Sequence, residues 1–279
     1  MLQLRYHCRD SSFYIPAYTL LMKDYWNKNW QHIFATNNLA NFNAIWDLET
    51  EWFEEPNKRR GGWSGVVKVD LDIAEGKTCV FIKRQENHIT KTLFHPVRGM
   101  PTFEREFNNI LRMQKRNLPI MELVYFSKRV INGNLQSILI TKALTDYIPL
   151  ESERFLSSGD LVKNTAHKDK LLTSVADTLR LIHQHHYQHN CLYLKHLFVK
   201  PDGDNWDIKI IDLEKLKWRF FKQDAVFRDL YTLHRHAQGW SVKDHVKLFK
   251  AYVQESKLSD KSKKLWRDIE SKVLSKQDK

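Results

Sequence analysis

The sequence predicts an α+β protein of two lobes: a small β-rich lobe carrying one helix, followed by a mainly helical lobe. Three observations carry that expectation. Up to Lys142 the apolar residues fall in short runs of strand character, such as Val66, Val67, Val69 and Leu71, then Cys79–Ile82, separated by turn residues such as Gly76 and Asn132-Gly133. Beyond residue 159 the spacing shifts to the helical period, as in Leu171, Leu172, Val175, Leu179 and Ile182. Strands first and helices afterwards is the α+β order. The third observation is the stretch Leu181–Glu214, in which a His-rich helix end leads into a tight loop. Two short apolar runs follow around Pro201-Asp202-Gly203, and the second closes on Asp212.

A chain of 279 residues suffices for a full core in two lobes. The expected division is a helical extension over 1–46, the β-rich lobe over 47–146 and the helical lobe over 147–279. At 42 % hydrophobic and 28 % charged residues the chain reads as globular. No apolar stretch approaches the roughly 18–20 residues that span a bilayer, and MLQLRYHCRD lacks a signal-peptide core. A cytoplasmic protein is expected. Cys8, Cys79 and Cys191 are an odd count without a CxxC pair, which argues against a disulfide framework or zinc knuckle. The net charge of +12 implies an anionic partner: phosphates, nucleic acid or the inner leaflet of a membrane. No nucleic-acid-binding signature is present, so no specific nucleic acid is expected.

Taken in order, Tyr18, Leu21 and Tyr25 fall at helical spacing, as do Leu39, Phe42, Ile45 and Trp46, with Asn37 and Asn38 as candidate caps. Trp26, Trp30 and Trp46 are read as packing residues. A strand is expected within Trp46–Phe53, then a Pro/Gly/basic loop over Glu54–Gly65 and a strand from Val66. Cys79–Lys83 is an apolar strand ending in a lysine. Pro101–Lys115 reads as a helix with Phe103, Phe107, Ile110, Leu111 and Met113 on one face. Leu123–Phe126 and Asn134–Lys142 supply two more strands. Helices are expected over Gly159–Asn164, Asp169–His186, Asp229–His236, Val242–Ser256 and Ser262–Leu274.

Several residues carry candidate chemistry. Gly61, Gly62, Ser64 and Gly65 form a loop whose backbone can approach phosphate groups, with Arg59 and Arg60 adding charge, although Gly-Gly-Trp-Ser-Gly lacks GxGxxG spacing. Lys83 is commonly a surface residue in such a position, but Glu106 lies beside the apolar face of the following helix. From there it can hold Lys83 against nucleotide phosphates, with Glu104 as the fallback. Thr141–Asp146 follows as a hinge whose Thr141, Ala143 and Leu144 would meet a base. Helix, loop, strand, turn, strand and acid over 181–214 is the order of the catalytic and metal-binding loops of protein-kinase-like phosphotransferases. Against His-Arg-Asp-Leu-x-x-x-Asn, His189 takes the His position, Cys191 the Asp position and His196 the Asn position. Asp212-Leu213-Glu214 stands for Asp-Phe-Gly. Lys195 either faces the γ-phosphate and acceptor or is a solvated cation. Asp229 braces the catalytic loop, stabilises a helix start, or does both.

EEPNKRRGGWSGV, the Phe-Ile-Lys-Arg strand, the Glu-Phe-x-x-Ile helix and HNCLYLKHLFV together resemble the InaA-type branch of the Kdo/WaaP-like lipopolysaccharide kinase family, over roughly residues 45–240. The resemblance implies a protein-kinase-like fold and use of ATP and Mg²⁺. It implies a lipopolysaccharide precursor or related anionic glycolipid as acceptor, and a place at the cytosolic face of the inner membrane. It also implies Lys83 on the ATP phosphates with Glu106 as its partner, Asp212 on metal, and His196 as the family's substitute for Asn. Cys191 departs from the wider family, which places Asp there. An ordinary thiol is mostly protonated at neutral pH and accepts hydrogen bonds poorly. A slow kinase, a kinase borrowing another acceptor such as Glu214, and a nucleotide-binding pseudokinase acting as a stress-response regulator therefore all stay open. A basic nucleic-acid or membrane adaptor without a nucleotide site is the third class of reading.

Two further stretches draw notice. His183, His185, His186 and His189 lack a metal-ligand spacing and are read as helix-end partners of the dipole. In Leu213–Lys222, Lys215, Lys217, Arg219 and Lys222 interleave with Trp218, Phe220 and Phe221. That segment suits a membrane surface or an anionic glycolipid, or else a solvated loop with one packed face.

Overall fold

Alternation along Gly76–Glu86 sets the architecture: Val80 and Ile82 are buried on one side of the strand, while Phe81 and Lys83 face the other. The computed structural model describes residues 24–276 apart from Arg60, residues 93–94, residues 156–158, Asp160 and residues 162–164. In chain order the elements are β1 (Tyr25–Trp26), α1 (Gln31–Thr36), α2 (Phe42–Trp46), β2 (Trp52–Arg59), β3 (Gly62–Ile73), β4 (Gly76–Glu86), β5 (Ile89–Thr92), β6 (His95–Pro101) and α3 (Thr102–Gln114). There follow β7 (Leu123–Ile131), β8 (Asn134–Lys142), β9 (Ile148–Pro149), α4 (Thr165–Gln184), β10 (Tyr187–Gln188), β11 (Leu197–Asp202), β12 (Asn205–Ile210), β13 (Lys217–Trp218), α5 (Lys222–His236), α6 (Val242–Val253) and α7 (Asp260–Leu274).

The first lobe is an antiparallel six-stranded sheet in the order β1-β7-β8-β4-β3-β2. Pro56, which has no N–H to give a ladder, sits in the edge strand β2 where none is needed. One face is covered by α1 and α2, with Trp30, Phe34, Phe42 and Ile45 packed on Val67, Leu71, Val80, Ile82, Ile138 and Ile140. Trp26 and Trp46 pack against the same cluster. The side chain of Arg84 donates to the carbonyls of Trp46 and Leu48, tying the end of α2 to β4.

The opposite face carries α3 and joins the core of the helical lobe, where Leu171, Leu172, Val175 and Leu179 of α4 meet the β11–β12 hairpin and α5–α7. The lobes are stitched at two points. Ile120 bridges Ile210 in parallel, with Ile210 N donating to Pro119 O. Asn109 of α3 donates to the carbonyls of Leu213 and Leu216. Among the described residues, no helix is long and apolar enough to cross a membrane.

Several expectations need correction. Trp46 closes α2, so the strand starts at Trp52; the distance from Trp46 to Trp52 is taken by the Arg84 contacts. Glu54–Gly65 is no loop: it is most of the β2–β3 hairpin, with its turn at Gly61. The cap of α2 is Asn41, which accepts from Ala44 N, while Asn37 ends α1 and binds Asp72 across to β3. Tyr25 belongs to β1, paired with β7, and Tyr18, Leu21 and Cys8 lie outside the described residues, as does most of Gly159–Asn164. Asp229 sits in the middle of α5, which begins at Lys222, so it is not a helix-start residue.

Candidate active site

The start of α3 is fixed by β4. Its N-cap is Pro101, which offers no side-chain acceptor. Instead the Gln85 carboxamide oxygen accepts from Phe103 N at 3.0 Å and from the Thr102 hydroxyl at 2.7 Å. Gln85 lies two residues beyond Lys83 on the same face of β4. One helical turn past Thr102, Glu106 therefore arrives at Lys83, with Lys83 Nζ 2.8 and 2.9 Å from the two carboxylate oxygens. Glu104 points away and pairs with Lys128 at 2.7 Å. Burial alone would push Lys83 down, but the carboxylates of Glu106, Asp212 and Glu54 outweigh it and hold the ammonium charged. Burial pushes Glu106 up against the pull of Lys83, and Asp212 and Glu214 add to the rise.

The pair opens on a cleft of about 600 Å³ between the lobes. Ser64, Gly65, Lys83 and Phe81 line it from the sheet, Thr141 and Leu144 from the hinge, and Lys195, His196, Phe198 and Asp212 from the helical lobe. Nine of the candidate residues, Glu106 included, thus converge on one space that the chain assembles from distant segments. Gly61, Gly62 and Ala143 are not on its lining. Gly61 makes the hairpin turn with φ +79°. Gly62 is dictated by packing, since a Cβ there would lie 2.0 Å from the Glu86 carbonyl oxygen. Ala143 faces a separate cavity of about 530 Å³ behind the hinge, and its N–H is engaged by the Cys79 carbonyl.

His189 and Cys191 stand behind the cleft. The Asp229 carboxylate accepts from His189 N at 2.6 Å and Asn190 N at 2.9 Å, and His183 bridges Asp229 to Tyr252. His189 Nε2 donates to Ile211 O at 2.9 Å, while its Nδ1 accepts from Cys191 N at 3.3 Å, so the ring joins the loop to the end of β12. Cys191 is 7 % exposed. Tyr193 hydrogen-bonds its thiol; burial first, then the neighbouring Cys191, push the phenol up.

His196 and Asp212 form the candidate cation seat. The His196 Nδ1–H donates to the Cys191 carbonyl at 2.7 Å. Burial pushes the ring down, against the opposing pull of Asp212 and that carbonyl, so it is neutral at pH 7. Its Nε2 lone pair then faces Asp212 Oδ2 at 3.5 Å. Two acceptors held that close call for a cation between them. Among the described residues, no group of three or more His, Cys, Asp and Glu side chains converges as a metal site. A divalent ion here would take its remaining ligands from phosphate oxygens and water, as Mg²⁺ commonly does.

The sequence reading overlooked Phe81, Phe198, Glu54, Glu55, Glu151 and Gln85. Phe81 and Phe198 were visible as the cleft-facing members of alternating strands, two residues before Lys83 and two after His196. The acids on β2 were not, because irregular register between Trp52, Glu54 and Asn57 turns both Glu54 and Glu55 toward the cleft.

A lysine–glutamate pair under a β-sheet, facing a carboxylate at the end of a hairpin in the helical lobe, defines a protein-kinase-like fold. A solved structure described as WaaP in complex with acyl carrier protein shares that fold, with a TM-score of 0.60 at 16 % identity over 91 % of this chain and 95 % of that one. Residues 43–252 match the model of the lipopolysaccharide kinase (Kdo/WaaP) family, to which this chain belongs. It is 30 % identical to Protein InaA of Escherichia coli (strain K12) over 200 residues, covering 71 % of this chain and 88 % of the relative.

Proposed function

We propose that the chain transfers the γ-phosphoryl group of ATP to a sugar hydroxyl of lipopolysaccharide core or a related glycolipid. The observation that carries this reading is the Lys83–Glu106 pair facing His196 and Asp212 across one nucleotide-sized cleft. Membership of the Kdo/WaaP family supports the acceptor class. Phe81 above and Phe198 below offer flat apolar faces for a base, with Thr141 and Leu144 at its edge. Lys83, held charged by Glu106, binds α- and β-phosphate oxygens, and exposed Lys195 meets the γ-phosphate. His196 and Asp212 would hold a divalent cation, which would supply charge neutralisation for the phosphates. In the transfer, the acceptor oxygen bonds the γ-phosphorus as the bridging oxygen leaves with ADP, and the hydroxyl proton passes to a nearby acceptor or to water.

Cys191 favours a second reading, a nucleotide-binding pseudokinase that acts as a stress-response regulator. Its thiol is buried, bonded by Tyr193 and off the cleft lining, so a strong proton acceptor is missing at the usual position. Phosphoryl transfer depends more on positioning and electrostatics than on a strong base, which leaves the kinase reading ahead. Single-turnover transfer from γ-³²P-ATP to a lipopolysaccharide fraction separates the two. Labelling by wild type that falls at least about a hundredfold in Asp212→Asn supports the kinase; equal labelling by both proteins removes it.

A further inference from the structure

We propose that the segment from Lys215 to Lys222 is a docking surface for an anionic phospholipid bilayer. Trp218, Phe220 and Phe221 are 60 %, 74 % and 62 % exposed, a concentration of aromatic surface unmatched elsewhere among the described residues. Their rings contact one another edge-on, 6.4 Å and 5.0 Å between centroids, and stand out as a ridge instead of lining a groove. Lys215, Lys217 and Lys222 are exposed around them. Asp224 is an exposed acid on the flank, while the Glu214 side chain lines the cleft.

The ridge is held from beneath. Tyr187 and Gln188 pair with Trp218 and Lys217, His186 stacks on Trp218 at 5.7 Å, and its Nδ1 donates to the Arg219 and Phe220 carbonyls. Arg219 is turned inward, its Nε donating to Gln188 Oε1 at 2.6 Å. Aromatic rings left in water on a fixed backbone, with lysines beside them, match the interfacial layer of a bilayer. There rings sit at headgroup depth and ammonium groups meet lipid phosphates. A protein partner would have to supply a concave pocket for three projecting rings; a fluid lipid interface needs none. The positive charge beside the rings selects an anionic leaflet.

The ridge is also tied to the catalytic loop. Asn190 Nδ2 donates to the Lys215 carbonyl at 2.7 Å, and Gln188 adjoins His189. Trp218 lies six residues beyond Asp212, so the chain places it at most about 22 Å away. A bilayer held there would lie beside the end of the cleft where the acceptor must enter. The purpose of the surface rests on the glycolipid-kinase reading; its binding to lipid does not.

Co-sedimentation of the full chain with vesicles of phosphatidylcholine containing about 30 % phosphatidylglycerol, against phosphatidylcholine alone, tests the surface. The expected result is binding to the anionic vesicles only, lost as salt rises from about 0.1 M to about 1 M. A Lys215→Gln/Lys217→Gln/Lys222→Gln variant should bind roughly a hundredfold more weakly, at about fivefold per cation. Trp218→Ser/Phe220→Ser/Phe221→Ser should bind at least about tenfold more weakly. Both variants should keep the wild-type melting temperature and its response to ATP with Mg²⁺, which keeps failure of the docking surface distinct from failure of the cleft. Absent vesicle binding overturns the proposal, as does binding that the aromatic variant leaves unchanged. Association of the ridge with an acidic soluble protein, without vesicle binding, overturns it in favour of a protein partner.

Discussion

Asp212 holds its backbone in the left-handed region, at φ +58°, two residues after β12. Asp and Asn tolerate that conformation better than other side chains with a Cβ. Asp212→Asn is therefore a cleaner probe than alanine, since it removes the charge while leaving the turn intact. Cys191 is the second informative residue. On the kinase reading, Cys191→Asp places a carboxylate at the position that the His-Arg-Asp motif gives to Asp, and should raise the single-turnover transfer rate by about 10²-fold or more, with Cys191→Ser as the control that gains nothing. No gain in a protein that still binds nucleotide points to the regulator reading. His245 gives a pH prediction. Burial pushes it down to about 4, with His234 adding and Asp244 opposing, and the two imidazoles lie 4.1 Å apart beneath Trp240 and Trp266. Above its unfolded pKa near 6.5 both states are neutral and stability is complete. Between there and about 4 only the unfolded chain takes up the proton, so stability falls with pH, by on the order of 2–3 kcal/mol at this one site. Chemical denaturation at pH 7.5 and pH 4.5 (about three units apart) measures it; a His245→Phe variant with the same slope would refute the assignment.

At the level of elements, β4 does three jobs at once: its inner residues join the core, Lys83 enters the cleft, and Gln85 caps α3. The Lys83–Glu106 pair thus depends on a residue outside it. Gln85→Leu strands the Phe103 N–H and leaves the Thr102 hydroxyl with His88 Nδ1 as its remaining partner, for a loss of about 2 kcal/mol, and lets α3 slip from its register against β4. Urea titration should show that loss, together with a nucleotide affinity lower than the stability change accounts for. A lower stability with unchanged nucleotide affinity would reduce Gln85 to a simple cap. In the helical lobe, α5 plays the comparable part. Asp229 from its middle accepts the successive backbone N–H groups of His189 and Asn190, so the helix sets the shape of the loop after β10.

Across the whole molecule, charge is unevenly divided. The chain carries +12, yet the cleft is lined by six carboxylates (Glu54, Glu55, Glu106, Glu151, Asp212 and Glu214) against Lys83, Lys142 and Lys195. A free triphosphate entering that field is repelled much more strongly than its divalent complex. ATP with EDTA should leave the melting temperature unchanged. ATP with Mg²⁺ at about a hundred times its dissociation constant should stabilise by about 2.7 kcal/mol, a rise of roughly 5–10 °C for a chain of this size. An equal shift with EDTA would contradict the cation seat; no shift in either case would remove both nucleotide-binding readings. The positive excess instead lies outside the cleft, in part around the aromatic ridge at Trp218–Phe221.

Much of this was open to reading from local pattern. Period-two runs marked β3, β4, β7 and β8, the helical period marked α3–α7, and the spacing of Lys83, Glu106, His196 and Asp212 singled out the residues that meet in the cleft. Such signals are local, because a strand or helix shows its buried face in its own residues. What the sequence concealed depends on contacts between distant segments. Gly62 looked like a phosphate glycine until the Glu86 carbonyl appeared against it. The irregular register of β2 turns acids into the cleft, and Ala143 faces away from it. Gln85 reaches across to cap a helix that begins seventeen residues on. Register, cap partner and the side of a wall are settled by which surfaces pack together, and a linear pattern carries no record of its neighbour across the fold.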